Sequence, residues 1–182
     1  MTNKERFIEL FKKNVKIDGA NNLLDRLEKS DFYTAPASTK YHDSVEGGLV
    51  RHSLRVYDFL DKAIGKDLSY SEQTLTIVAL LHDLCKIGFY TVEMRNNKNE
   101  KGQWEKVPYY GVDDKFPYGH GEKSVYLINE FFKLTTEEAM AIRFHMGAYE
   151  GEKIWQTLSS AFGEFPLALY LHIADMKATY LK

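Results

Sequence analysis

Cysteine is almost missing. The 182-residue chain holds one, Cys85, so an intrachain disulfide is excluded and nothing points to an oxidising compartment. Long apolar runs are missing as well: no window approaches the roughly 20 apolar residues that a bilayer-spanning helix needs. Met1 to Lys13 carries charges throughout and lacks the apolar stretch of a secretory signal. The expected location is therefore cytoplasmic, with no membrane partner. Nor does one sign of charge dominate. The 24 Lys and Arg stand against 26 Asp and Glu, a formal net charge of −2. That balance provides no general attraction to duplex nucleic acid or to an anionic membrane surface. Only four prolines occur, and no repeat, low-complexity tract or linker divides the chain. What is there, 44% hydrophobic and 27% charged residues, suits an ordinary globular protein. The length suits one compact domain, expected over residues 1–182.

Hydrophobic spacing predicts a mostly helical chain. Short amphipathic helices are expected over 4–13 and 22–29, followed by an irregular stretch from Asp31 to Gly48. Leu49, Val56, Tyr57, Leu60 and Ile64 recur at helical spacing, with His52 in the first turn and Gly65 closing the helix. Ser69 with Glu72 matches a capping box for a buried helix expected to run through His82 and Asp83 to Gly88. Alternation from Tyr90, a polar turn at 96–102 and an aromatic stretch to Tyr110 predict a β-hairpin, about residues 89–111. Its aromatic residues, with Phe116 and Tyr118, are expected to pack onto the helices. Further helices are expected from His120, from a capping box at Thr135 and Glu138, over 151–163, and from Pro166 to about Leu181.

The chemistry centres on Ala79–Gly88, where His82 and Asp83 lie side by side in an apolar setting. A carboxylate beside an imidazole is costly there unless its charge is compensated. A metal ion would compensate it by taking neutral imidazole nitrogen and ionised carboxylate oxygen together. Lys86, three residues on, would share their side of a helix. A lone histidine on an apolar helix is ordinarily a hydrogen-bonded core residue. Here, however, His52, His82, His120 and His145 each fall near a predicted helix end, and Asp175 lies inside the apolar last helix.

That order, His … His-Asp … His … His … Asp, resembles the HD-domain superfamily of metal-dependent phosphohydrolases. The resemblance runs from about Gly47 to Asp175 through Gly-Gly-Leu-Val-Arg-His-Ser-Leu, Leu-His-Asp-Leu-Cys-Lys and His-Ile-Ala-Asp. It implies an all-α HD-domain bundle carrying one inserted hairpin. The metal-site core would span about 47–181, and residues 1–46 would supply N-terminal helices and the loop leading into the site. It also implies that His52, His82, Asp83 and Asp175 hold one ion. His120 and His145 would hold a second, with Asp83 bridging. Four imidazoles and two carboxylates suit two divalent ions among Mn, Fe, Co, Ni and Zn better than Mg or Ca. Two such ions would acidify a shared bridging water into hydroxide and clamp a phosphoryl group for in-line attack. Lys86 resembles the family's lysine that faces the substrate phosphate.

Upstream, Ala35-Pro36-Ala37, Lys40-Tyr41-His42 and Gly47-Gly48-Leu49 resemble the corresponding segment of bacterial HD-type 3′–5′ exoribonucleases. That would bring Lys40 and His42 to the active-site mouth as phosphate contacts. Those nucleases carry an OB-type domain for which this sequence has no room. The implied substrate is therefore a phosphomonoester or phosphodiester of a nucleotide or short oligonucleotide. Two other functions fit the same donors: an HD-type diiron oxygenase, and a nucleotide-sensing module with little turnover. His172 shares a helix face with Asp175 and is expected to be structural. Cys85 is expected to be a small core residue, and Asp113 and Asp114 loop acids.

Overall fold

A computed structural model of the chain describes residues 1–64 and 70–181. Among these residues the chain forms eight α-helices and one antiparallel hairpin. In order these are α1 (Asn3–Asn14), α2 (Ala20–Glu28), α3 (Gly48–Ile64), α4 (Glu72–Leu81), β1 (Tyr90–Lys98), β2 (Trp104–Val112), α5 (His120–Asn129), α6 (Thr136–Phe144), α7 (Trp155–Glu164) and α8 (Pro166–Tyr180). No described helix is long and apolar enough to cross a membrane.

Helix α4 is the axis of the bundle. Every residue from Leu75 to Leu81 is buried, as its all-round apolar sequence requires. Helix α1 packs across α3 and α4, while α8 lies against α3 and α6. Phe7, Leu23, Leu54, Leu80 and Leu171 belong to one continuous buried cluster. The start of α6 is the expected capping box: Thr135 accepts from the backbone of Glu138, whose carboxylate accepts from Thr135 N–H. Gly65 and Ser69 lie outside the described residues. The cap seen on α4 is Ser71, whose hydroxyl accepts from Thr74 N–H.

Two expectations are corrected. The helix through His82 does not continue to Gly88: α4 stops at Leu81, Asp83 turns out of helical geometry, and Leu84–Lys86 is a separate 3₁₀ turn. The hairpin is in register from Tyr90↔Val112 to Lys98↔Trp104, but its outer part does not pack onto the helices. Trp104 is 69% exposed and Val92 68%. Phe116 and Tyr118 do pack, against Tyr126 of α5.

Candidate metal centre

Five helices bring the four histidines and two aspartates together. His52 comes from the first turns of α3, His82 and Asp83 from the end of α4, and His120 from the start of α5. His145 follows the end of α6, and Asp175 lies on α8. The helix ends at His82 and His145 use the same device. The last carbonyls of a helix lack backbone donors. The Nδ1–H of His82 donates to Ala79 O at 2.8 Å, and that of His145 to Ile142 O at 2.7 Å. Each bond satisfies an end carbonyl, fixes the tautomer and turns Nε2 inward.

Those inward nitrogens have no partner. His82 Nε2 and His145 Nε2 are buried without a hydrogen bond among the described residues. They stand 3.4 Å from Asp83 Oδ2 and 3.6 Å from Asp83 Oδ1 respectively. With Nδ1 committed to a carbonyl, each ring turns Nε2 toward a buried carboxylate at a separation where no hydrogen bond joins them. Buried donors and carboxylate so placed call for a positive charge between them. A divalent ion fits this donor set, and the group His52, His82 and Asp83 could hold one.

Asp83 divides the cluster. Oδ1 meets His120 Nε2 at 2.8 Å and faces His145. Oδ2 faces His82, His52 at 3.8 Å and Lys86 Nζ at 2.7 Å. Asp175 Oδ1 lies 2.9 Å from His52 Nε2, on the Oδ2 side. Burial alone would raise the pKa of Asp83, but the Lys86 ammonium, with the hydrogen bond from His120, holds it well below the usual carboxylate range. Burial likewise works against the ammonium of Lys86, yet Asp83 keeps its pKa above the ordinary lysine value.

A cavity of about 510 Å³ opens over the cluster, walled by the 37–42 loop, Lys86, Tyr90, Tyr149 and Tyr180. Lys86 Nζ also donates to Ala37 O at 2.7 Å, and Tyr90 Oη donates to the same carbonyl at 2.9 Å. His42 is on the wall, its ring centroid 4.7 Å from that of His52, with both nitrogens buried and unpartnered among the described residues. Burial, helped by His52 and Lys86, pushes its pKa down to about 4. Lys40 is not on the cavity wall; its ammonium lies over the Tyr41 ring.

Some supporting contacts around the cluster are not apparent from sequence pattern. Cys85 is buried as expected, yet its Sγ is 3.4 Å from His120 Nδ1 and so orients that ring. Burial pushes the thiol pKa up to about 12, which keeps it protonated. Adjacency to His82-Asp83 was the available signal. His172, expected to be structural, has Nδ1 2.7 Å from His145 O and stacks on Phe162. The carbonyl accepts from Nδ1–H, so His172 buttresses the turn bearing His145. Arg143 ties α5 to α6 by pairing with Glu122 and, at 2.7 Å, with Glu150. Asp114 accepts from Lys123 at 2.7 Å.

The chain matches the HD domain family over residues 49–178 and belongs to it. This is a superfamily largely of metal-dependent hydrolases acting on phosphate esters, whose members bind divalent metals. Comparison with curated proteins and with solved structures returned no match.

Proposed function

We propose that this HD domain is a phosphohydrolase that cleaves a phosphomonoester or phosphodiester bond of a nucleotide or short oligonucleotide. The observation that carries the reading is the pair of buried, unpartnered imidazole nitrogens aimed at Asp83. His52, His82, Asp83 and Asp175 would hold one divalent transition-metal ion; His120, His145 and the second oxygen of Asp83 would hold another. The two-sided arrangement of donors about Asp83 supports that division. Ions held there supply Lewis acidity, making water acidic enough to react near neutral pH and offsetting phosphoryl charge.

The chain's own groups do the rest. Lys86, held charged between Asp83 Oδ2 and Ala37 O, offsets negative charge building on the phosphoryl oxygens. His42 is neutral at pH 7 and lines the cavity, placing an uncharged hydrogen-bonding ring beside the substrate site. Tyr90 and Ala37 keep Lys86 in place. Residues 1–46 belong, in this reading, to the same folding unit, since Phe7, Phe11 and Leu23 share the buried cluster of Leu80 and Leu171.

The test is elemental analysis of protein purified without added metal, then assay on bis-p-nitrophenyl phosphate and a nucleotide panel. The expected result is a transition metal bound and turnover of the phosphodiester, with most of both lost in Asp83→Ala. A metal-free but active protein, or full turnover by Asp83→Ala, would overturn the reading. Iron alone, with an activity that disappears anaerobically, would replace it with the oxygenase.

A further inference from the structure

We infer that one face of the hairpin is a binding track for single-stranded oligonucleotide, leading away from the candidate metal centre. The inference rests on the phosphohydrolase reading and narrows its substrate. Tyr90 and Val112 are register partners at the hairpin base, and both line the cavity over the metal cluster. Directly paired residues share a face, and side chains alternate along each strand. The cavity-side face therefore continues through Val92 and Tyr110, then Met94, to Lys106 and the terminal pair Lys98 and Trp104. It extends on the order of 25 Å at ~3.3 Å per residue, enough for several nucleotides.

The two faces differ in charge. Of the described residues on the cavity-side face none is acidic, and its two charged groups are Lys98 and Lys106. Glu93, Arg95 and Glu105 all lie on the reverse face. There Tyr109 Oη donates to Glu93 at 2.5 Å and Arg95 covers the Tyr109 ring. On the cavity side Val92, Met94 and Trp104 are exposed, and Lys98 Nζ sits 5.1 Å from the Trp104 ring centroid. An exposed Trp104 ring beside lysines, with the half-buried Tyr110 nearer the cavity, on a surface continuous with a phosphate-cleaving cavity, matches a strand whose bases stack and whose phosphates pair with cations. A duplex keeps its bases stacked inside and offers no ring for Trp104 or Tyr110.

The experiment is fluorescence anisotropy of the full chain as purified, with labelled octathymidylate and octauridylate carrying phosphorothioate linkages to slow cleavage. Dithymidylate is the short control. The expected result is binding of at least one octamer, weakened by salt, with the dinucleotide bound about tenfold or more weakly. Trp104→Ala should weaken octamer binding about tenfold. Lys98→Glu with Lys106→Glu should lower the salt slope by about 0.7 for each lysine lost. All three positions are on the exposed hairpin, and unchanged thermal unfolding of the variants verifies folding. Octamers bound no better than the dinucleotide, or bound equally by the variants, would overturn the track. So would a dimer, seen by analytical ultracentrifugation, that the same substitutions dissociate without any oligonucleotide binding. Hydrolysis of bis-p-nitrophenyl phosphate by the unaltered chain is scored separately, so loss of the track and loss of the phosphohydrolase reading are distinguishable.

Discussion

Individual side chains here carry more than one duty, and substitutions separate the duties. Lys86→Met should retain bound metal, since the six donors remain, while lowering kcat on bis-p-nitrophenyl phosphate by about a hundredfold or more. Metal content and steady-state kinetics on the same preparation check this. His42 makes a pH prediction. Its pKa falls from 6.5 to about 4 in the fold, so the unfolded chain binds more protons between those values. Its contribution to stability is whole above pH 6.5 and shrinks as pH drops toward 4. Acidification from pH 7 to about 4.5 in chelator should therefore lower the urea midpoint of the native chain more than that of His42→Gln. An equal or larger fall in the variant would refute the assignment. The six clustered residues were legible in sequence because His-Asp, the spaced histidines and Asp175 form an ordered pattern. The contact of Cys85 with His120 was not, since it joins a 3₁₀ turn to a helix start 35 positions on.

Helix ends and helix approaches set the spacing of the site. The first turn of α5 lies so close to α6 that a Cβ at Gly121 would collide with the Arg143 carbonyl. Gly121→Ala should force apart the elements bearing His120 and His145. The expected cost is about 1–3 kcal/mol by overpacking, with a fall in bound metal per chain. Calorimetry with elemental analysis measures both. Most element positions were readable from apolar periodicity and from the Thr135–Glu138 box. The true end of α4 was not. Its apolar run continues past Leu81, but the His82 ring takes the Ala79 carbonyl, and an imidazole's choice of partner is settled by tertiary surroundings. The hairpin was visible as alternation, yet alternation equally describes a strand covered on one side. Nothing in Val92 or Trp104 alone says that no helix would cover them.

Across the whole molecule, stability is concentrated in the bundle and nearly absent from the arm. Joining Tyr90 to Val112 through a short glycine turn removes no residue of the buried cluster, so the melting temperature should change by only a few degrees. Leu80→Ala, at the bundle axis, should instead cost about 2–5 kcal/mol. Differential scanning calorimetry of both variants compares them. The imidazole caps of α4 and α6 have a consequence for assembly. The bonds that finish these helices also aim Nε2 of His82 and His145, so these two receptor atoms are set as soon as the helices fold. Chelation should leave the circular dichroism spectrum unchanged while lowering the melting temperature, and uptake of added ion should be a single fast phase.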